Sequence, residues 1–123
     1  MNKTSVKERR VHERHAINVT LQGTPDQGGI VARMIASNLS LGGLYCTSNS
    51  DFPEMTRLAV RLMLPMDQSE TGSEPVDLEA VVVRRMKSRS TNGNPRYDIA
   101  LYFTNVDPSA HDQLKRYLNH RSG

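Results

Sequence analysis

Short segments with the side-chain pattern of β-strands fill the middle of this sequence. In residues 16–22 and 57–64, apolar side chains occupy every second position, which places them on one face of an extended chain. Residues 76–87 form a long run rich in β-branched side chains. The six predicted strands are residues 16–22, 30–37, 43–48, 57–64, 76–87 and 96–103. Because no helix is predicted between them, this order indicates an all-β antiparallel barrel or sandwich.

The connections and the end of the chain carry their own signals. Residues 23–29 are dense in Gly and Pro and predict a turn, and the polar, proline-bracketed residues 65–75 predict a loop. Asn92-Gly93 favours a tight hairpin turn, because both residue types tolerate positive φ. Asp107 is a good N-cap, and apolar residues then recur at helical spacing. We therefore predict a C-terminal amphipathic helix over residues 108–120.

The net charge of the chain is concentrated at its N-terminus. The chain has 123 residues, which suits one domain with one core. Residues 1–15 hold five basic and two acidic side chains, which matches the net charge of +3 of the whole chain. Such a segment suits a phosphate-bearing ligand, a nucleic acid or an anionic membrane surface, although most charged termini are simply solvated. We divide the chain into a flexible basic arm, residues 1–15, and a β-barrel domain with a C-terminal helix, residues 16–123.

The location of the protein is predicted from its thiol content and hydropathy. The single cysteine, Cys46, excludes an internal disulfide and indicates a reducing compartment. No apolar run approaches the length of a membrane span, and residues 1–15 are too polar for a signal peptide. We expect a cytoplasmic protein.

Catalytic signatures are not visible in the sequence. Cys46 falls in a predicted strand, where a buried structural thiol is the simplest interpretation. His12 and His15 have a spacing compatible with a metal ion, but no further Cys or His lies near them in sequence. There is no Ser-His-Asp, phosphate-loop or paired-carboxylate pattern. We therefore expect no enzymatic activity, no metal site and no cofactor.

Two short motifs carry chemistry suited to binding. Arg9, Arg10 and Arg14 precede the first predicted strand, and Asn38-x-Ser40-x-x-Gly43 joins the second to the third. Guanidinium groups clamp phosphates or the edge of guanine with paired hydrogen bonds and stack on purines. Asn and Ser side chains offer further hydrogen bonds, and a glycine supplies positive φ or room for a close approach. Each motif alone also has a plain interpretation, as solvated arginines or as a turn whose side chains bond their own backbone.

Taken together, the two motifs resemble the PilZ domain family. The resemblance rests on Arg10-x-x-x-Arg14, on the Asn38-to-Gly43 motif and on the terminal Leu-Lys-Arg-Tyr-Leu helix, and it covers nearly the whole chain. It implies a six-stranded antiparallel barrel that binds cyclic di-GMP. In that family the arginine pair holds phosphates and guanine, and the second motif forms the barrel-side wall of the site. An arginine at position 9 accompanies a stacked, intercalated ligand dimer, so two nucleotides per chain are expected.

The resulting hypothesis is a cyclic di-GMP receptor that acts as an adaptor. The arm is expected to be mobile when free, to wrap onto the barrel with the ligand, and to create a surface for an unidentified downstream protein. One alternative is a scaffold of the same fold that binds a protein partner and no nucleotide. A small nucleic-acid-binding barrel is less favoured, because the chain has no Trp and six Tyr and Phe in all, whereas such proteins need stacking platforms.

Overall fold

A computed structural model describes residues 15–26, 28–65, 73–88 and 93–122 of the chain. These residues form six strands and one helix in the order expected for an all-β domain with a terminal helix. The elements are β1 His15–Pro25, β2 Ala32–Leu39, β3 Gly43–Ser48, β4 Arg57–Pro65, β5 Ser73–Ser88, β6 Arg96–Asn105 and α1 Pro108–Ser122. The predicted fold class, a six-stranded antiparallel barrel with a C-terminal helix, is confirmed.

The strands close into a barrel in the order β1-β2-β3-β6-β5-β4. Every neighbouring pair is antiparallel, and β1 joins both β2 and β4 to complete the ring. Two of the six contacts, β1 with β4 and β3 with β6, link strands that are distant in sequence. Closure therefore brings together segments that local patterns cannot pair.

The alternating positions of the strands build the core of the barrel. In β4, for example, the buried residues are Leu58, Val60, Leu62 and Leu64, and the residues between them are exposed or half-buried. The same alternation in the other strands points one face inward, and burying that face supplies the main favourable free energy of folding. The helix adds Ala110, Leu114 and Leu118 to this core.

Strand β1 is longer than its sequence pattern predicts. The turn predicted over residues 23–29 is wrong at its start, because Gly23, Thr24 and Pro25 pair with Val60, Ala59 and Leu58 of β4. Proline is tolerated here because it is the last residue of the strand. Gly28 and Gly29, with φ of 93° and 129°, provide the left-handed conformations of the shortened turn.

The two other predicted connections are partly confirmed. The loop predicted over residues 65–75 is wrong at its ends, since Pro65 pairs with Ser73 and Met63 with Pro75; residues 66–72 lie outside the described residues. In the β5–β6 hairpin, Gly93 has the expected positive φ of 83°. Asn92 lies outside the described residues.

Helix α1 begins as its sequence indicates. The carboxylate oxygen Oδ1 of Asp107 accepts a hydrogen bond from the Ala110 backbone N–H at 2.8 Å, which caps the first turn. The Gln113 side chain donates to the Pro75 carbonyl oxygen at 3.4 Å and ties the helix to β5. Within the described residues, no helix is both long enough and apolar enough to cross a membrane.

Candidate functional site

The Asn38-to-Gly43 motif lies where β2 ends and β3 begins. Asn38 and Leu39 are the last residues of β2, residues 40–42 form the turn, and Gly43 opens β3. The three arginines of the other motif, Arg9, Arg10 and Arg14, lie outside the described residues. Their contribution to a binding site therefore stays a prediction, and the described geometry concerns the barrel side of that site.

The start of β1 lies directly beside this turn. His15, the first residue of β1, pairs with Leu39, and Ala16 pairs with Asn38. The segment that precedes β1 is therefore attached to the barrel next to the second motif. The division of the chain at residues 15 and 16 remains a prediction, although His15 itself belongs to the strand.

A β-bulge in β2 turns Asn38 toward the outer face of the barrel. Ala36 pairs with Cys46 and Asn38 with Tyr45, so Ser37 is an extra residue in β2. Ala32, Met34 and Ala36 are buried, and after the bulge the buried position is Leu39 instead of residue 38. Without the extra residue the alternation would direct the Asn38 amide into the apolar core. The half-buried Asn38 is instead on the outer face, beside Tyr45.

The hydroxyl of Ser40 is engaged by its own turn. It accepts hydrogen bonds from the backbone N–H groups of Gly42 and Gly43 at 3.1 and 3.2 Å, and it donates to the Gly43 carbonyl oxygen at 3.3 Å. These three bonds use the one hydrogen and both lone pairs of a hydroxyl. Ser40 is 5% exposed. Alternate positions of an extended segment would place Ser40 on the same side as Asn38, and this arrangement is not observed. The described geometry makes Ser40 the residue that shapes the turn, and a direct ligand contact stays a prediction.

Gly43 is required by the packing of two strands. It pairs with Tyr102 of β6, and a Cβ added at position 43 would overlap the Leu101 carbonyl oxygen. The φ of Gly43 is not among the positive values of the described glycines. Of the two reasons offered by the sequence, close approach is the one observed here, and the approaching group is the backbone of β6. The Phe103 N–H also donates to the Gly42 carbonyl oxygen at 2.9 Å, so β6 holds the turn in place.

Next to the turn, the outer face carries side chains that no motif singled out. The row that starts at Asn38 continues through Tyr45 and Ala100 to Arg84, and the adjacent row runs from Gly43 through Tyr102 to Val81. Tyr45 and Tyr102 are both exposed. The sequence alone could have indicated that both tyrosines are on the outer face, because each occupies an outward position in the alternating pattern of its strand. The pairing of β3 with β6, which brings them together, is not a local feature.

Cys46 is a core residue, as its pattern predicted. It is 2% exposed, and its sulfur lies 3.8 Å from that of Met34. Burial raises the pKa of the Cys46 thiol to about 12, and the Asp98 carboxylate adds to the shift. A thiol held in this protonated form is a poor nucleophile. In the described parts of the chain, no three His, Cys, Asp or Glu residues are grouped so that they could hold a metal ion.

Comparisons with known proteins assign the fold. The structure defines a small closed β-barrel domain with a helix packed on it. The model of the PilZ domain family matches residues 8–120, and the chain belongs to this family. No curated protein matches the chain.

Several solved structures have the same fold. The Bacillus subtilis inhibitor of motility MotI/DgrA is similar at 21% identity and a TM-score of 0.72, over 93% of this chain and 51% of that one. The PilZ domain of Escherichia coli YcgR with c-di-GMP is similar at 20% identity and a TM-score of 0.62, over 88% and 87%. The K. pneumonia MrkH complex with c-di-GMP is similar at 17% identity and a TM-score of 0.68, over 89% of this chain and 51% of that one. The chain thus spans about half the length of MotI and MrkH.

Proposed function

We propose that this chain is a receptor for cyclic di-GMP. The nucleotide is held between Arg9, Arg10 and Arg14 on one side and the Asn38-to-Gly43 turn on the other. The observation that carries the proposal is the pairing of His15 with Leu39, which attaches the arginine segment beside the turn. Family membership supports it, as does the fold shared with the YcgR and MrkH complexes, which contain this nucleotide.

The reach of the arginine segment fits a site on the outer face of the turn. Consecutive Cα atoms are about 3.8 Å apart, so Arg14 stays beside the strand, and Arg10 can lie up to about 18 Å from His15. The two guanidinium groups can therefore approach a ligand from opposite sides. Asn38 faces outward on the barrel side and can donate or accept hydrogen bonds with a base or phosphate.

The energetics suit reversible sensing. A hydrogen bond to a charged group contributes about 1.5–3 kcal/mol, and micromolar affinity corresponds to about −8.2 kcal/mol. A few arginine contacts and stacking interactions supply this after the cost of ordering the segment. The predicted arm, residues 1–15, wraps onto the barrel when the nucleotide binds, and this changes the surface offered to a downstream protein in the cytoplasm. Binding and transmission require no enzymatic activity.

Calorimetric titration with cyclic di-GMP tests the proposal. Arg10→Ala and Arg14→Ala each abolish measurable binding, and Arg10→Lys also binds weakly because a lysine lacks the paired donors of guanidinium. Arg33→Ala is the matched control: Arg33 is an exposed arginine of β2 that pairs with Gln22, away from the turn, and its removal leaves affinity unchanged. Thermal stability of the free protein is expected to be the same in all four variants. Wild-type affinity in both Arg10→Ala and Arg14→Ala would contradict the site assignment.

The same titration measures stoichiometry. The arginine at position 9 leads us to expect an intercalated dimer, hence two nucleotides per chain at saturation, and a lower number in Arg9→Ala. Saturation of the wild type at one nucleotide per chain contradicts the dimer and leaves the receptor function intact. A folded wild-type chain that takes up no cyclic di-GMP contradicts the receptor function and favours the alternative of a scaffold for protein partners.

A further inference from the structure

Surface-exposed aromatic side chains are concentrated at one place on this barrel. The chain has six Tyr and Phe residues and no Trp. Phe52 and Phe103 are buried, and Tyr97 and Tyr117 pack against the core. The two that remain, Tyr45 and Tyr102, are 37% and 57% exposed.

The two exposed rings occupy opposite corners of a four-residue patch. On β3 the patch contains Gly43 and Tyr45, and on β6 it contains Ala100 and Tyr102. Gly43 pairs with Tyr102 and Tyr45 pairs with Ala100, so large and small residues alternate in both directions. Diagonal neighbours in antiparallel strands have Cα atoms about 7–8 Å apart, within the reach of aromatic side chains. Two small residues therefore separate the two rings.

Extending the proposed nucleotide site, we propose that Tyr45 and Tyr102 form a stacking platform for a guanine base of the bound ligand. A purine presents a flat apolar face, and stacking on an aromatic side chain stabilises it by about 1–3 kcal/mol per base. Gly43 has no side chain and Ala100 is 8% exposed, so no long side chain stands between the two rings. Asn38 pairs with Tyr45, which places an amide at the edge of the platform, where it can bond the base.

The surroundings of the platform favour this role. Tyrosine has a high β-propensity, so exposed tyrosines are common in strands without any binding role. High β-propensity does not explain why Tyr45 and Tyr102 are neighbours. Farther along the same two strands, the outward pair is Thr47 and Asp98, which offers no apolar face. The platform is also joined directly to the motif turn, because Gly43 belongs to both. The two tyrosines therefore lie next to Gly43, the last residue of the motif that is proposed to contact the ligand.

Titrations with cyclic di-GMP of matched variants test the platform. Tyr45→Leu and Tyr102→Leu remove a ring and keep apolar bulk, and each is expected to raise the Kd about tenfold or more. Tyr45→Phe and Tyr102→Phe keep the ring and bind like the wild type. Met86→Ala removes an exposed apolar side chain of β5, 56% exposed, and leaves the Kd unchanged.

Tyrosine fluorescence gives a second readout, since the chain has no Trp to mask it. Saturating cyclic di-GMP is expected to quench the wild-type emission and to quench that of the Leu variants less. If both Leu variants bind with wild-type Kd, the platform is overturned and the receptor function stands. If the wild type itself does not bind cyclic di-GMP, the proposed function fails, and the platform fails with it.

Discussion

At the scale of single residues, Gly43 leaves the least space for a side chain among the glycines compared, Gly23, Gly28, Gly29, Gly43 and Gly93. The backbone of β6 lies against its Cα, and a side chain there would overlap the Leu101 carbonyl oxygen. The contact involves backbone atoms, which cannot move aside as the end of a flexible side chain can. The binding motif and the closure of the barrel therefore depend on the same glycine.

Gly43→Ala is expected to lower the free energy of unfolding by about 2 kcal/mol or more, because the β3–β6 contact must open to accept a methyl group. The Phe103 amide, which donates to the Gly42 carbonyl oxygen, should then exchange faster with solvent. Gly28→Ala is the control: Gly28 has a positive φ of 93° and no neighbour within reach of a Cβ, so only backbone strain of about 1–2 kcal/mol applies and Phe103 exchange is unchanged. An unaltered Phe103 exchange rate in Gly43→Ala would contradict this account.

For the candidate site residues, the sequence motif contains the residue types and their spacing but not the orientations of the side chains. Asn38, Ser40 and Gly43 were selected from their spacing, but their orientations depend on features that the spacing does not contain. The bulge at Ser37 turns Asn38 outward, and it follows from the pairing of β2 with β3. The hydrogen bonds of Ser40 depend on how its turn closes. Either outcome for the serine, ligand contact or backbone contact, was compatible with the sequence.

At the scale of elements, β3 has the bounds that its pattern predicts, and helix α1 begins at the predicted residue. The cap of the helix is local, since Asp107 bonds an amide three residues later. The ends of several other strands agree less well, because pairing with a neighbour extends them. Gly23 and Pro25 both discourage a strand locally, yet β4 supplies partners for both positions. Local propensity is overridden there by contacts with a distant segment.

The cap of α1 gives a prediction at this scale. Asp107→Ala removes the acceptor for the Ala110 N–H and is expected to lower the free energy of unfolding by about 1 kcal/mol, measured by urea denaturation. Asp107→Asn keeps an acceptor oxygen at the same position. Its free energy of unfolding should fall much less, since Asn caps helices about as well as Asp. Equal losses in the two variants would show that the charge of Asp107, and not its hydrogen bond, stabilises the helix.

For the whole molecule, the buried thiol of Cys46 couples stability to alkaline pH. Its pKa is about 12 in the folded chain, and an unperturbed thiol titrates near about 8.5. Below the lower value both states are protonated and the group has no effect. Between the two values the unfolded chain releases the proton while the folded chain retains it, so stability falls as pH rises.

Comparison of the wild type with Cys46→Ala isolates this effect. Between pH 8.5 and 10 the free energy of unfolding of the wild type should fall by about 1.5 kcal/mol more than that of the variant. The variant has a lower stability at neutral pH because it loses the contact with the Met34 sulfur. Urea denaturation at several pH values measures both changes. Parallel pH profiles for the two proteins would show that the thiol does not titrate as its burial requires.

The closed ring of strands also limits how another protein can recognise this domain. Among the described residues each strand pairs with two neighbours, although β1 pairs with β4 only over Leu21–Pro25. Where both sides of a strand are paired, a partner has no free backbone groups to which it could add a strand. Over those stretches a partner would contact the side chains of the outer surface. The same closure protects the domain against edge-to-edge aggregation at high concentration.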